Sequence, residues 1–347
     1  MAGSWIDTVW YGTGAGPSLA RASLAPLAVA YDTVMSARNA WYDRAGHARP
    51  TAVPALSVGN LSVGGTGKTP MSAWCAARLQ AMGASPAIVL RGYGDDEPAV
   101  HRILNPQVPV IATPDRVLGT ARARSSGADV VVLDDAFQHR RAARVADLVL
   151  LSADRWRADA AVLPAGPWRE SPAGLRRATV LVVTRKAATR AAAAAVAAWA
   201  ARQAPRVPVA HVQLVFDALV RADTPDDRLS LAALGDADVV AVAGVGDPQA
   251  FAAQLSAAGA RVTLRAFADH HPYTERDVAD LVRLAGTRLV VTTLKDAVKL
   301  SPRWPRTAPP LRYVSQRVVV EDGGAALDGA LAAVLAARVQ SPVVPTD

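Results

Sequence analysis

Cysteine is almost missing from this chain of 347 residues, in which Cys75 is the single thiol. One cysteine excludes a framework of internal disulfides and a zinc site built on several thiolates. A chain without disulfides is typical of a reducing compartment. Aromatic residues make up only 5% of the sequence, but 51% of the residues are hydrophobic and 20% are charged. This composition excludes a disordered chain, and the length suggests two domains.

Long apolar runs, a signal-like start and dense basic clusters are also missing. No apolar run reaches the roughly 18 to 20 residues that span a bilayer, so we do not expect an integral membrane protein. Residues 1–16 lack a basic start followed by an apolar stretch, so we expect no secretory signal. The arginines are scattered and form no run of five or six, and we therefore expect no nucleic-acid partner.

Positive charge is in excess: the chain has 38 Lys and Arg residues and 30 Asp and Glu residues, which gives a net charge of +8. The mean hydropathy is slightly apolar, at +0.16. A basic protein raises the local concentration of anionic ligands, and anionic lipid is one such ligand. These properties favour a peripheral protein that works at an anionic membrane surface.

Residues 17–45 carry apolar side chains at helical spacing and predict a helix with aromatic residues near both ends. The flanking aromatic residues are Trp5, Trp10, Tyr11, Trp41 and Tyr42. This arrangement suits the headgroup level of a membrane, and the excess positive charge is then expected around the same helix. A helix packed on its own domain has the same pattern, since Trp and Tyr also border ordinary cores.

Short apolar strands alternate with helices from residue 52 onward. Continuous rather than alternating apolar strands are typical of a parallel sheet covered on both faces. The predicted strands are 55–59, 87–90, 108–112, 130–133, 149–151, 180–184, 209–216, 239–245, 262–267 and 289–293. The predicted helices are 17–45, 69–82, 114–125, 187–203, 248–258 and 275–284.

The segment Ser62-Val-Gly-Gly-Thr-Gly-Lys-Thr69 lies between a predicted strand and a predicted helix. That context suits a phosphate loop, because backbone N–H groups at a helix N-terminus can bind phosphates. Lys68 would contact the β- and γ-phosphates, and the Thr69 hydroxyl would bind Mg²⁺. Ser62 stands where the general motif has glycine, so a connection without a ligand is the alternative. The predicted nucleotide-binding residues are Ser62, Gly64, Gly65, Thr66, Gly67, Lys68 and Thr69.

Asp134 and Asp135 follow four apolar residues and so fall at the carboxyl edge of a buried strand, where open α/β sheets bind ligands. A carboxylate there can bind Mg²⁺ directly or through water. The pattern does not decide which aspartate does so. His139 follows four residues later.

Three further clusters each allow more than one interpretation. Residues 95–97 could supply a general base or form a solvated acidic turn. Arg169 could bind phosphate or lie in a Pro/Gly surface turn. Residues 269–271, Asp-His-His, could form a metal site, a catalytic dyad or the capped start of a helix.

Together these motifs resemble the tetraacyldisaccharide 4′-kinase family, the lipid A 4′-kinases of Gram-negative bacteria. The chain departs from the family pattern at Ala136, where Gly is usual, at Leu294, where Glu is common, and in a shorter segment between RGYG and DEP. The matching segments occur in the family's order: VGNLSVGGTGKTP, RGYG, DEP, DDAFQH, LPAGPWRE, VAGVGDP, FADHHPYT and TTLKDAVKL.

The resemblance implies ATP-dependent phosphorylation of the 4′-hydroxyl of tetraacyldisaccharide 1-phosphate, giving lipid IVA, with Mg²⁺ as cofactor. The implied location is the cytoplasmic face of the inner membrane, where we expect a peripheral monomer. Motif matching gives Asp96 as the base, with Asp95 as the alternative, and pairs it with His270 across a cleft between two domains. The implied roles are catalytic for Asp96, His270, Lys68 and Asp135, metal-binding for Thr69 and Asp134, and substrate-binding for Arg91, Tyr93, Arg169 and His139.

The fold expected from both lines of reasoning is α/β, with two α/β/α domains and an N-terminal amphipathic helix. The first domain is a mostly parallel sheet of the P-loop NTPase type. We predict a membrane-associating helix at 1–45, a P-loop kinase domain at 46–205 and a smaller α/β domain at 206–347.

A membrane-associated P-loop switch or partitioning ATPase is the alternative function. Such proteins usually carry Lys directly before the Gly pair, where Val63 stands. A GTPase would need Asn-Lys-x-Asp, and residues 293–296 have different spacing. Both observations favour the kinase.

Overall fold

The structure is a computed structural model that describes residues 5–44, 46–92 and 96–338. The helices are α1 (Trp5–Tyr11), α2 (Ala15–Tyr42), α3 (Lys68–Ala81), α4 (Asp96–Leu104), α5 (Arg116–Ser125), α6 (Arg190–Gln203), α7 (Pro248–Ala257), α8 (Glu275–Ala285), α9 (Leu294–Leu300) and α10 (Gly324–Arg338). The strands are β1 (Ala55–Asn60), β2 (Pro86–Leu90), β3 (Val110–Ala112), β4 (Val130–Asp134), β5 (Ala146–Ser152), β6 (Val180–Arg185), β7 (Val209–Arg221), β8 (Arg228–Ser230), β9 (Asp238–Ala243), β10 (Arg261–Ala266), β11 (Leu289–Thr293) and β12 (Leu311–Asp322).

Contacts divide the chain into two compact units. The large unit comprises residues 5–213 and 318–338 of the described chain, and the small unit comprises residues 214–317. Both N-terminal helices and α10 belong to the large unit, whereas the domain predicted at 206–347 included α10. The chain leaves the large unit within β7 and returns to it within β12.

The large unit contains a parallel sheet in the order β7-β6-β5-β1-β4-β2-β3. Every residue of β1, β2 and β4 is buried, because layers cover both faces of the sheet. β1 lies between β4 and β5, and the later strands are added on both sides of it. The carboxyl ends of β1 and its neighbours therefore form the point at which the strand order reverses, where α/β sheets bind their ligands.

The strands of the small unit follow the order β10-β9-β11-β12-β7, with β8 pairing antiparallel to β7. β9 is parallel to both β10 and β11, and β11 is parallel to β12. The core on one face includes Leu219, Val239, Ala241, Phe251 and Leu255. The predicted α/β class with mostly parallel sheets is confirmed.

Helix α2 has 28 residues and follows the short helix α1. Its exposed side includes a row of apolar side chains at steps of seven or eight residues: Leu19, Leu27, Val34 and Trp41, which are 73%, 59%, 67% and 45% exposed. We call these four residues the apolar row. Across the described ranges, no helix is both long enough and apolar enough to cross a membrane.

Several elements were not expected from the sequence, namely α4, α9, α10, β8 and β12. Residues 96–104 form a helix rather than only an acidic turn. Asp96 and Glu97 occupy its first turn, where negative side chains are favoured by the positive end of the helix dipole. The acidic composition that suggested a turn is therefore a helix-start signal.

Candidate active site

The phosphate loop connects β1 to the first residue of α3, Lys68. Gly67 precedes the helix with a φ of 90°, and Gly64 has a φ of 114°. Residues with side chains rarely adopt either value. Two hydrogen bonds of 2.9 Å hold Thr66, one donated by Asn60 Nδ2 to its hydroxyl and one donated by the Thr184 hydroxyl to its carbonyl. The loop is therefore fixed at a helix N-terminus, which favours a bound anion.

Lys68, Asp135 and Arg169 meet directly beside this loop. An Arg169 guanidinium nitrogen lies 2.7 Å from Asp135 Oδ1, and Lys68 Nζ lies 3.7 Å from the same oxygen. Asp135 has a φ of 48°, which is unusual for a residue with a side chain. Three of the predicted site residues are thus brought together, and the two predicted to contact phosphate, Lys68 and Arg169, are cations.

The charges in this group influence one another. Burial lowers the pKa of Lys68, and the nearby Asp135 carboxylate opposes that effect. Burial alone would raise the pKa of Asp135, but Lys68 and Arg169 outweigh it and the net shift is downward. Asp135 is therefore ionised at neutral pH and keeps a negative charge between two cationic side chains.

Asp134 is the neighbouring carboxylate and is only 5% exposed. Its Oδ1 accepts hydrogen bonds of 2.9 Å from the Ser72 hydroxyl and from the Asp135 N–H. Its Oδ2 lies 2.8 Å from His101 Nε2. Ser72 is three residues after Thr69 on α3 and therefore on the same side of that helix. The two predicted metal-binding residues, Thr69 and Asp134, accordingly belong to one side of the loop.

Helices α4 and α5 bring further charge to the site. Arg116 is 2% exposed and donates to the Asp134 carbonyl at 3.2 Å. Burial lowers the pKa of Arg116, and the positive charge of Arg91 lowers it further. The carboxylates of Asp134, Asp135 and Glu97 oppose this shift. The negative charge of Glu97 also opposes the lowering of the Lys68 pKa. The predicted residue Arg91 and the start of α4 therefore lie within electrostatic range of the site.

The predicted base, Asp96, is the first residue of α4 and is 6% exposed. The predicted substrate residue Tyr93 and the alternative base Asp95 lie outside the described residues. The pairing of Asp96 with His270 involves one residue from each unit and stays a prediction.

His139 does not carry the positive charge that binding of an anionic substrate would use. Burial, together with the positive charges of Arg116 and Arg144, lowers its pKa to about 4. The imidazole is therefore neutral at pH 7. A contact between His139 and substrate would be an uncharged hydrogen bond.

Helix α2 is hydrogen-bonded directly to the loops of this site. The Tyr31 hydroxyl donates to the Arg169 carbonyl at 2.8 Å, and Asn39 donates to Glu170 Oε2 at 2.8 Å. Glu170 is 2% exposed and also accepts from Gln138 at 3.0 Å. The helix predicted to meet the membrane thus supports Arg169, which binds Asp135, and the adjacent Glu170.

Comparison with known proteins identifies the family. A sequence model of the family described as tetraacyldisaccharide-1-P 4′-kinase matches residues 20–107 and 96–336. The chain belongs to this family. The predicted family and the predicted enzyme class, a kinase, are confirmed, and the kinase is favoured over the switch ATPase.

Similar proteins cover nearly the whole chain. A tetraacyldisaccharide 4′-kinase from Anaeromyxobacter sp. (strain Fw109-5) is 38% identical over 95% of this chain and 97% of its own length. One from Rhodopseudomonas palustris (strain BisB18) is 37% identical over 82% of this chain and 83% of its own. A crystal structure of LpxK from Aquifex aeolicus in complex with ATP superimposes with a TM-score of 0.71, at 26% identity, and covers 90% of this chain and 99% of that one.

In the small unit, the two histidines of the Asp-His-His segment contact different residues. His271 Nε2 lies 2.9 Å from Asp277 Oδ2, and Asp277 forms a capping box with Thr274 at the start of α8. Hydrogen bonds from His271 and Thr274 lower the pKa of Asp277 to about 2. His270 has a φ of 62°, and its Nε2 lies 3.0 Å from Lys295 Nζ.

Nowhere in ranges 5–44, 46–92 and 96–338 do three or more His, Cys, Asp or Glu side chains form a metal-binding group.

Other family segments of the small unit meet around Asp296, which is fully buried. Its carboxylate accepts hydrogen bonds from the Tyr273 hydroxyl at 2.9 Å, the Thr293 hydroxyl at 2.7 Å and the Gly244 N–H at 3.0 Å. Burial and Asp296 raise the pKa of Tyr273. These parts of VAGVGDP, FADHHPYT and TTLKDAVKL therefore hold the unit together.

Several side chains at the site were not among the predicted residues. They form hydrogen bonds with the predicted residues, form one with such a partner (Glu170 with Gln138), or lie beside the phosphate loop: Asn60, Ser72, His101, Arg116, Gln138, Glu170 and Lys186. Asn60 and Lys186 follow predicted strands, and α/β sheets bind ligands beyond the carboxyl ends of their strands. Their positions in the sequence could therefore have indicated both residues. His101 had no signal, because its partner Asp134 is 33 residues away.

Proposed function

We propose that this chain transfers the γ-phosphate of ATP to the 4′-hydroxyl of a tetraacyldisaccharide 1-phosphate and forms lipid IVA at the cytoplasmic face of the inner membrane. The observation that carries the proposal is the convergence of Lys68 and Arg169 on Asp135 beside the phosphate loop. Phosphoryl transfer depends mainly on positioning and on neutralising charge, and this group supplies cations at a fixed place.

The residues present suit ATP with Mg²⁺. The loop glycines and the N-terminus of α3 suit phosphate, while the Thr69 hydroxyl and an Asp134 carboxylate oxygen are the hard oxygen ligands that Mg²⁺ prefers. A phosphate-bound Mg²⁺ needs only one or two protein ligands. When bound, Mg·ATP supplies the phosphoryl group and a metal ion that neutralises phosphate charge.

The protein residues divide the remaining work. Asp96 accepts the proton of the attacking hydroxyl, with His270 as its partner, and Asp95 is the alternative base. Lys68 and Arg169 offset negative charge on the phosphates, and Asp135 holds these two cations together until substrate binds. Arg91 and Tyr93 contact the lipid headgroup. His139, neutral at pH 7, contributes a hydrogen bond rather than a charge.

The experiment that tests this function is incubation of the full chain with Mg²⁺, ATP and the disaccharide 1-phosphate in detergent, followed by mass analysis of the lipid. We expect a mass gain of one phosphate group. Hydrolysis of ATP with no gain in lipid mass would contradict the proposal and favour the switch ATPase.

The membrane contact is assigned to the apolar row of α2. Exposed apolar side chains on one side of an amphipathic helix can enter the headgroup boundary of a bilayer. Tyr31 and Asn39 of the same helix bind the active-site loops. The chain is then peripheral, and we expect it to act as a monomer.

Replacing part of the apolar row by serine tests this assignment without removing α2. Leu19→Ser, Leu27→Ser and Val34→Ser together should lower partitioning onto vesicles by at least about tenfold, since each buried apolar side chain contributes on the order of 1 kcal/mol or more. Vesicle flotation measures the bound fraction. The matched control replaces three other exposed apolar residues of the large unit by serine: Met82, Leu118 and Val145. Equal loss in both triple variants, or loss in neither, would contradict the assignment.

A further inference from the structure

His101 is a polar side chain in a place that packing alone does not explain. It lies on α4 with no exposed surface, and its Nδ1 is buried with no hydrogen-bond partner in the part of the chain that the structure describes. An unpaired buried ring nitrogen is unfavourable, so packing would favour an apolar residue. The one polar contact that the His101 side chain makes in this part of the chain is with Asp134, at 2.8 Å.

That contact determines what Asp134 can still bind. A carboxylate only accepts hydrogen bonds, so Nε2 of His101 carries the hydrogen. The two oxygens together offer about four acceptor positions. Ser72 and the Asp135 N–H use those of Oδ1, and His101 uses one on Oδ2. The remaining position is on Oδ2, the oxygen that His101 holds.

We propose that His101 is a positioning residue that orients the Asp134 carboxylate toward a divalent cation. The proposal rests on the proposed function, in which Asp134 binds Mg²⁺ directly or through water. Hydrogen bonds to a metal-binding carboxylate fix its orientation, and their loss typically weakens metal binding about 10- to 100-fold.

The test measures binding of Mn²⁺ by electron paramagnetic resonance, with a non-hydrolysable ATP analogue and the full chain. Mn²⁺ takes the oxygen ligands that Mg²⁺ takes. His101→Phe keeps a ring of similar size but has no N–H, and we expect Mn²⁺ affinity to fall about 10- to 100-fold. His101→Gln places an amide N–H at a similar reach and should retain affinity near that of the unsubstituted protein. The asparagine side chain of His101→Asn is too short to reach Asp134, so this variant should lose Mn²⁺ affinity as His101→Phe does. If His101→Phe does not fold, His101→Asn is used in its place.

Asn105→Ala is the matched control, because Asn105 follows α4 and its side chain donates to the Ala73 carbonyl rather than to Asp134. We expect it to bind Mn²⁺ normally. Unchanged affinity in both His101→Phe and His101→Asn would overturn the proposal, and so would an equal loss in His101→Gln or Asn105→Ala. Failure to phosphorylate lipid would instead contradict the proposed function, and the Mn²⁺ measurements do not depend on it.

Discussion

Asp96→Asn is expected to lower kcat by about 10²- to 10⁴-fold, the usual contribution of a general base, with little change in affinity for ATP. A base acts on the hydroxyl proton in the transition state, whereas ATP binding depends on the phosphate loop. Asparagine is the better replacement because Asp96 is only 6% exposed and alanine would leave a cavity. Steady-state kinetics and nucleotide titration of the same variant separate the two quantities.

The neighbouring Asp95 provides the matched control. Asp95→Asn should keep a kcat close to that of the unsubstituted enzyme if Asp96 is the base. A large loss of kcat in Asp95→Asn, with Asp96→Asn active, would transfer the role to Asp95. Parallel loss of ATP binding and kcat in Asp96→Asn would contradict a role confined to proton transfer.

Lys68→Ala is expected to lower kcat/KM by about 10²- to 10³-fold, because it removes a cation that is already positioned for the phosphates. The ammonium lies 3.7 Å from Asp135 Oδ1. Its removal leaves Asp135 with one neighbouring cation fewer, so repulsion between this carboxylate and bound phosphate rises as well. Kinetics at saturating Mg²⁺ and varied ATP measure the effect.

Arg190→Ala serves as the comparison for Lys68→Ala. Arg190 also belongs to the large unit and pairs with Glu321, but its side chain is 82% exposed. Its removal should leave kcat/KM nearly unchanged, since exposed ion pairs contribute little. Equal activity of Lys68→Ala and Arg190→Ala would show that Lys68 does not act on phosphate.

The sequence predicted the parts of the fold whose signals are local. Continuous apolar strands are recognisable because both faces of a parallel sheet are buried. The phosphate loop is recognisable because glycine and lysine stand at fixed spacing between a strand and a helix. The contacts of Asp134 with Ser72 and His101 join residues 62 and 33 positions apart, and no local pattern records such pairs.

The N-terminal helices themselves carry no excess positive charge. Residues 5–44 contain three arginines, at 21, 38 and 44, and three aspartates, at 7, 32 and 43, so their net charge is zero. The excess of +8 therefore does not lie on α1 and α2. The overall charge suggested attraction to a membrane through these helices, but what they expose is the apolar row, whose affinity for a bilayer does not depend on a basic patch.

The most direct test of the account is the position of the phosphate that the full chain transfers from ATP to tetraacyldisaccharide 1-phosphate. Tandem mass spectrometry and phosphorus NMR of the purified product would identify it. The account predicts one new phosphate monoester on the 4′-oxygen and about 10²- to 10³-fold less of it in the Lys68→Ala reaction over the same time. A phosphate on any other oxygen, or ADP formed with unmodified lipid, would contradict it.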